Sequence, residues 1–306
     1  MHVYLPIAEL SVNWLALLVI GSGVGFLSGL FGVGGGFLMT PLLIFLGVPA
    51  PVAVGTGAAQ ILASSVSGVL AHWRRQNVDV QMGFALTAGG FVGSALGIWI
   101  FTLLRQAGQV DLVIRLSFVI FLGGVGGLML AESVRTWLHR ATSGVRKRKL
   151  HEHNWLHGLP FKLRFRRSKL YISALLPLTV GFAIGILTAI MGVGGGFILV
   201  PAMIYILGMP TQMVVGTSLF QTLFVAANVT ILQSITNQTV DVMLALLLIV
   251  GGVIGAQLGT RFGARLRGEQ LRILLAVLVL GVGLKLAFDL FTTPDDFYSL
   301  APEGHG

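Results

Sequence analysis

Two glycine runs in this 306-residue chain have the composition and spacing to hold an anion. Gly32-Val33-Gly34-Gly35-Gly36-Phe37 returns as Gly192-Val193-Gly194-Gly195-Gly196-Phe197. Consecutive glycines break a helix, and the helix that follows starts with unpaired N–H groups and the positive end of its dipole, a ready anion site. Each run separates a long apolar stretch from a short one, at residues 37–47 and 197–207. In hydrocarbon such a break is tolerated only where it lines a polar cavity or is buried in protein. Gly34, Gly35, Gly36, Gly194, Gly195 and Gly196 are therefore candidate substrate ligands through their backbone. The plain alternative is that the glycines only permit tight packing. Their repetition at one spacing, beside two unusually short segments, favours the ligand role. Nucleotide readings fail. A phosphate loop needs a Lys after the run, and Phe37 stands where a dinucleotide fingerprint needs its last glycine.

Polar side chains inside the apolar stretches are few. Thr56 and Gln60 lie four apart, as do Thr217 and Gln221, so each pair shares a helix face. Asn228 follows on the same stretch as the second pair. Hydroxyls and amides beside two helix N-termini would coordinate an oxyanion without placing a full charge in the membrane. Hydrogen bonding between helices is the competing role for each of them.

The elements that must position these residues are membrane helices. Hydrophobic residues make up 55% of the chain and charged ones 10%, with a mean hydropathy of +0.89. Soluble domains carry about 25% charged residues. An ordinary cytosolic enzyme is excluded, and with no Cys, so are disulfides and thiolate chemistry. Residues 1–11 hold no Lys or Arg, so no cleavable signal is expected there. Apolar stretches fall at 12–30, 37–47, 53–72, 81–104 and 112–131, then at 171–190, 197–207, 213–234, 241–260 and 270–291. Most reach the ~20 residues that a spanning helix needs. The two series are copies. Pro41 returns as Pro201, Gly55-Thr56 with Gln60 as Gly216-Thr217 with Gln221, and Asp79 as Asp241, while the offset drifts only from 160 to 162 residues. The chain divides into a first membrane repeat (1–132), a basic cytoplasmic loop (133–170) and a second membrane repeat (171–306).

Charge sets the orientation of the halves. If each short segment returns to the side it came from, each half makes five passes and the second is inverted. Arg74, Arg75, the central loop and Arg261, Arg265 and Arg267 then all face the cytoplasm, which places sixteen of the twenty Lys and Arg inside. Parallel halves of four spans would place only thirteen there, against the positive-inside rule. The expected fold is an all-α polytopic membrane protein of two inverted-topology repeats, each of long spanning helices plus a glycine-broken short helix.

Together, the two glycine runs with Pro41 and Pro201, the Gly-Thr pairs, and His72-Trp73-Arg74-Arg75 leading to Val78-Asp79 resemble the TauE/SafE sulfite exporter family, the TSUP transporters. The likeness covers essentially the whole chain. The long basic loop departs from a minimal member. The resemblance implies a secondary transporter that exports small sulfur-containing anions, such as sulfite or organosulfonates including sulfoacetate, across the cytoplasmic (inner) membrane. Another organic anion, or uptake, is the alternative within transport, and a non-transporting membrane scaffold is the alternative outside it.

No acidic residue falls in the middle of an expected span, so a buried carboxylate relay for protons is absent. An anion leaving a negative interior gains about 2.3 kcal/mol per charge per 100 mV, so the membrane potential alone can drive export. No span carries a nucleophile–base set, so no enzyme activity and no cofactor are expected. Asp79 and Asp241 read as helix caps. Lys285 and Asp289 read as a snorkelling pair. His151, His153 and His157 lie in a basic surround that repels cations, so no metal site is expected. The basic loop reads as lying on anionic lipid, not nucleic acid. Gly21-Gly25-Gly29, Gly89-Gly93-Gly97 and Gly251-Gly255-Gly259 read as close helix packing. For the last two, a homodimer contact or a sliding face stays open.

Overall fold

A computed structural model describes residues 2–31, 36–140, 162–165, 167–168, 170–263 and 268–291. Gly34 and Gly35, residues 141–161 of the central loop, and Arg265 and Arg267 lie outside the described residues. The first half runs β1 (His2–Leu5), β2 (Leu10–Asn13), α1 (Trp14–Phe31), α2 (Gly36–Phe45), α3 (Ala50–Arg74), α4 (Val80–Gln106) and α5 (Val110–Arg140). The second runs β3 (Lys162–Phe165), β4 (Leu170–Ser173), α6 (Leu175–Met191), α7 (Gly196–Tyr205), α8 (Thr211–Leu232), a π-turn (Gln233–Asn237), α9 (Val242–Gly263) and α10 (Gly268–Phe291).

Among the described residues, five helices are long and apolar enough to cross a bilayer, at Ala50–Arg74, Val80–Gln106, Val110–Leu128, Met213–Asn237 and Val242–Gly259. They are hydrophobic all round, as helices are that meet protein on one side and lipid on the other. Phe84, Val92 and Trp99 on α4, and Leu246 and Ile254 on α9, point out of the bundle. The fold is that of an all-α polytopic membrane protein, with two antiparallel hairpins added at its edges.

Helices pair mainly across the two halves: α1 with α9, α4 with α6, α3 with α8 and α5 with α10. Glycine makes the first two pairs close. A Cβ on Gly93 would lie 2.0 Å from the carbonyl oxygen of Phe182, and one on Gly255 would lie 2.0 Å from that of Ser22. One on Gly25 would lie 2.2 Å from the carbonyl oxygen of Gly252. All three glycine triads thus pack within the chain. Between lipid-solvated helices there is little hydrophobic drive, so such backbone approach supplies the packing that holds them.

α7 ends near where α6 begins. Met203, Leu207 and Met209 share one buried cluster with Leu176 of α6 and Met82 and Leu86 of α4. The hairpins are a finding that the apolar pattern did not disclose. His2–Leu5 pairs with Leu10–Asn13, and Lys162–Phe165 pairs with Leu170–Ser173, at the same repeat offset as the glycine runs. Part of the basic segment read as lying on lipid is therefore a strand. The final step of the offset drift also has a structural form. Between Gln221 and Asp241 the second half carries one residue more than the first between Gln60 and Asp79. The π-turn at the end of α8 absorbs it, since i→i+5 bonding accommodates an inserted residue without ending the helix.

Candidate anion site and its two latches

Gly-Thr pairs and aspartates meet across the halves. The Asp79 carboxylate caps α4 by accepting from Met82 N–H at 3.2 Å, and Asp241 caps α9 by accepting from Leu244 N–H at 3.1 Å. The backbone N–H of Asp79 donates to Thr217 Oγ1 at 3.0 Å, and that of Asp241 donates to Thr56 Oγ1 at 3.1 Å. The other carboxylate oxygen of each Asp takes a hairpin turn. Ser168 N–H (2.9 Å) and Oγ (2.5 Å) donate to Asp79, while Ile7 N–H donates to Asp241 at 3.0 Å. The preceding glycines give the turn its approach. A Cβ on Gly55 would lie 2.7 Å from Thr239 Oγ1, and one on Gly216 would lie 2.3 Å from the Asn77 carbonyl oxygen. Both aspartates are buried. We call each assembly a latch: helix cap, Gly-Thr pair and hairpin turn, drawn from both halves.

The glycine turn of the second half packs on α3, where a Cβ on Gly192 would lie 2.6 Å from the carbonyl oxygen of Val54. Gly192, Gly194 and Gly195 have φ of 67°, 70° and 73°, left-handed conformations that side chains rarely adopt. They end α6 and start α7, where Ile198 and Leu199 N–H donate to the Gly195 carbonyl, and the N–H groups of Gly196 and Phe197 have no i−4 partner within the helix. The starts of the two short helices meet. Phe37 and Phe197, the first side chains after each run, stack with ring centroids 4.7 Å apart. A Cβ on Gly36 would lie 2.6 Å from the carbonyl oxygen of Val193. Near the middle of α3 and α8, Ile61 reaches Gly36 and Gly194, and Thr222 reaches Gly194.

Several polar side chains of α2, α3 and α8 are buried without a hydrogen-bond partner among the described residues. They include Thr40 Oγ1, Gln60 Oε1, both amide atoms of Gln221, and Thr222 Oγ1. Thr40 Oγ1 lies 3.1 Å from where a Cβ on Gly57 would stand, close to the Gly192 carbonyl. Gln60 packs towards Gly252 of α9 and Gln221 towards Gly90 of α4. Each buried group left unpaired costs about 1–3 kcal/mol, so several of them in a folded core call for an explanation.

The structure therefore sorts the sequence candidates. Gly36 and the Gly194–Gly196 turn come together, while Gln60 and Gln221 lie one residue before Ile61 and Thr222 and pack towards α9 and α4. Thr56 and Thr217 share a face with those glutamines, as their spacing requires, but their hydroxyls accept latch N–H groups. Asn228 Nδ2 donates to Ser94 Oγ at 2.8 Å, across the seam between α8 and α4. Thr40 and Ile61 escaped sequence reasoning. Thr40 is a lone hydroxyl in a short apolar helix whose repeat mate is Val200, so a search for duplicated polar pairs passes over it. Lys285 Nζ sits 4.0 Å above the ring of Phe45. Among the described residues, no group of three or more His, Asp or Glu is placed to hold a metal ion.

Broken short helices meeting inside a bundle of spanning helices define a multi-pass membrane transporter. A family model described as sulfite exporter TauE/SafE matches residues 17–286, and the chain belongs to that family. It is similar to the probable membrane transporter protein YjnA of Bacillus subtilis (strain 168), at 29% identity over 89% of this chain and 99% of that protein. A probable membrane transporter protein of Xylella fastidiosa (strain 9a5c) is 31% identical over 83% of this chain and 87% of its own length. YunE of Bacillus subtilis (strain 168), also named a probable membrane transporter protein, is 24% identical over 91% and 98%. No solved structure gives a significant match. The protein is thus a transporter of the TauE/SafE family, with the multi-pass architecture of a cytoplasmic-membrane protein.

Proposed function

We propose that the chain exports small sulfur-containing anions, sulfite or compact organosulfonates, and binds them where the two glycine breaks meet. The observation that carries this reading is the set of buried, unpartnered hydroxyls and amides on α2, α3 and α8, the helices that meet the glycine turn at the start of α7. Thr40, Thr222 and the Gln221 amide supply neutral donors, and the start of α7 supplies backbone N–H groups and a positive dipole end. Such donors hold an oxyanion while leaving its negative charge free to move with the membrane potential. The family's description as sulfite exporters supports the substrate class. In this reading Thr56, Thr217 and Asn228 hold helices together, and the substrate contacts fall to Gly36, Gly194–Gly196 and the glutamines. The protein is then a carrier, not an enzyme, and needs no cofactor.

We read the halves as inverted. Support comes from the crossed pairing of α1 with α9 and α4 with α6, and from the return of α7 to the start of α6. With Arg74, Arg75 and the basic loop on the cytoplasmic side, the Asp79 latch lies inside and the Asp241 latch outside.

Flux in proteoliposomes tests the reading. Under an imposed potential, radiolabelled sulfite should move outward from the negative compartment without a proton or sodium gradient. Gln221→Ala and Thr222→Val should each cut that flux at least about tenfold, the cost of one lost charge-assisted hydrogen bond. Normal flux in folded Gln221→Ala and Thr222→Val proteins would remove the site. Strict dependence on a proton or sodium gradient would remove the uncoupled mechanism. No flux or binding of any anion by the wild-type protein would favour a scaffold.

A further inference from the structure

The two breaks are related by repetition, yet the residues between them are not alike. Ile61 is 1% exposed and stands against Gly36 and Gly194 at once. Its Cδ1 lies 2.1 Å from where a Cβ on Gly36 would be, and its Cγ2 lies 2.5 Å from the same position on Gly194. The side chain thus fills space that a residue other than glycine would claim on either side. Its repeat mate on α8 is Thr222, whose Cγ2 lies 3.1 Å from the Gly194 position and whose hydroxyl has no partner among the described residues. One wall of the junction can therefore donate a hydrogen bond, and the opposite wall is a branched aliphatic wedge. β-Branching also fixes χ1 in a helix, so this wedge cannot swing aside as Leu or Met would.

We infer that Ile61 is a specificity-determining residue that limits the length of the organic group an anion can carry into the site. The inference rests on the proposed anion site and adds to it a size filter. Thr222 and the α7 N-terminus take the oxyanion head, while Ile61 occupies the place a longer tail would need. Replacement by Ala removes three carbons from between the breaks and leaves every polar group in place. Ile61→Thr gives the two walls the same side chain and adds a second hydroxyl.

Proteoliposome flux is compared for sulfite and for methane-, ethane-, propane- and butanesulfonate, in wild type, Ile61→Val, Ile61→Ala and Ile61→Thr. Wild type should favour sulfite and methanesulfonate, with flux falling as the chain lengthens. Ile61→Ala should raise propane- and butanesulfonate flux relative to sulfite by about tenfold or more, the usual discrimination for a methylene or two in an apolar pocket. Ile61→Val, which removes one methyl, should shift the profile less and in the same direction, and serves if the Ala variant fails to fold. Ile61→Thr should do likewise, with sulfite flux retained. An unchanged chain-length profile in Ile61→Ala or Ile61→Val, while Thr222→Val lowers flux of every anion, overturns the size filter and leaves the site standing. A uniform loss for all anions in the Ile61 variants also overturns it, because a packing role predicts that result. Unchanged flux in both the Thr222→Val and Ile61→Ala proteins, or no transport of any of these anions by wild type, overturns the site itself and the filter with it.

Discussion

At the Asp79 end, aromatic rings close over the latch. Phe220 stands 6.3 Å from Trp73, 5.5 Å from Phe84 and 5.0 Å from Phe224, centroid to centroid, and it packs with Val69, Val78 and Leu219. At the Asp241 end, amides do the fastening. Asn237 Nδ2 donates to Gln233 Oε1 at 2.8 Å, Thr239 Oγ1 donates to the same oxygen at 3.2 Å, and Gln233 Nε2 donates to the Ala189 carbonyl at 3.3 Å. Thr102 Oγ1 donates to Asn237 Oδ1 at 3.2 Å, and Arg105 donates to the Asn237 carbonyl. The repeat mates of Trp73, Phe220 and Phe224 are Ser234, Ala59 and Ala63, so the second end has no rings to use at those places. The latches are duplicated and their fastenings are not. Apolar contact is non-directional and survives small shifts of one helix past another. A connected amide network holds one geometry and is either made or broken. The two ends of the bundle are thus fastened by different physics.

Removing the latch carboxylates tests the shared part most severely. Asp79→Ala orphans Met82 N–H, Ser168 N–H and the Ser168 hydroxyl, and it should lower stability by about 3–5 kcal/mol, read as thermal unfolding in detergent. Asp241→Ala orphans two N–H groups and should cost less, about 2–4 kcal/mol. Equal losses would erase this difference between the ends. Phe220→Ala should cost about 3 kcal/mol through the cavity it leaves, with sulfite flux changed less than stability. Asn237→Ala breaks the amide network at its centre and should cost about 1–3 kcal/mol. Its signature is faster hydrogen exchange confined to residues 233–241, whereas Phe220→Ala should loosen α3, α4 and α8 together. The smallest and most symmetric effect belongs to Thr56→Val and Thr217→Val, each about 1 kcal/mol and nearly equal. A large disparity between those two would show that the latches are not equivalent after all.

Much of this organisation is legible in the residues. Duplicated glycine runs, short apolar segments and the Gly-Thr-Gln pattern foretell a doubled, helix-broken membrane fold because each is a local signal repeated at one spacing. What could not be read is what depends on partners distant in sequence. The role of Thr56 is fixed by Asp241, and that of Thr217 by Asp79, and no spacing within one helix announces either. The strands at 2–5 and 162–165 are four residues each, too short to show alternation, and the second is masked by its basic residues. The glycine triads of α4 and α9 look alike whether they meet another molecule or another helix, so their use against α6 and α1 needed the fold. Ile61 is one apolar residue among many until the backbone brings both breaks to it.

The crossed pairing has a consequence for biogenesis. Each hairpin turn fastens the aspartate of the opposite half, and the most extensive helix contacts join residues that leave the ribosome far apart in time. While the first half is being inserted, α1 has no α9, α4 has no α6, and the Asp79 carboxylate has no Ser168. The nascent chain must wait in the bilayer as loosely associated helices, stable as spans yet without their tertiary partners. The same dependence means that the covalent link at the central loop is not what joins the halves. Residues 1–140 and 162–306 made as separate polypeptides in one cell should find each other and assemble, and either made alone should be degraded.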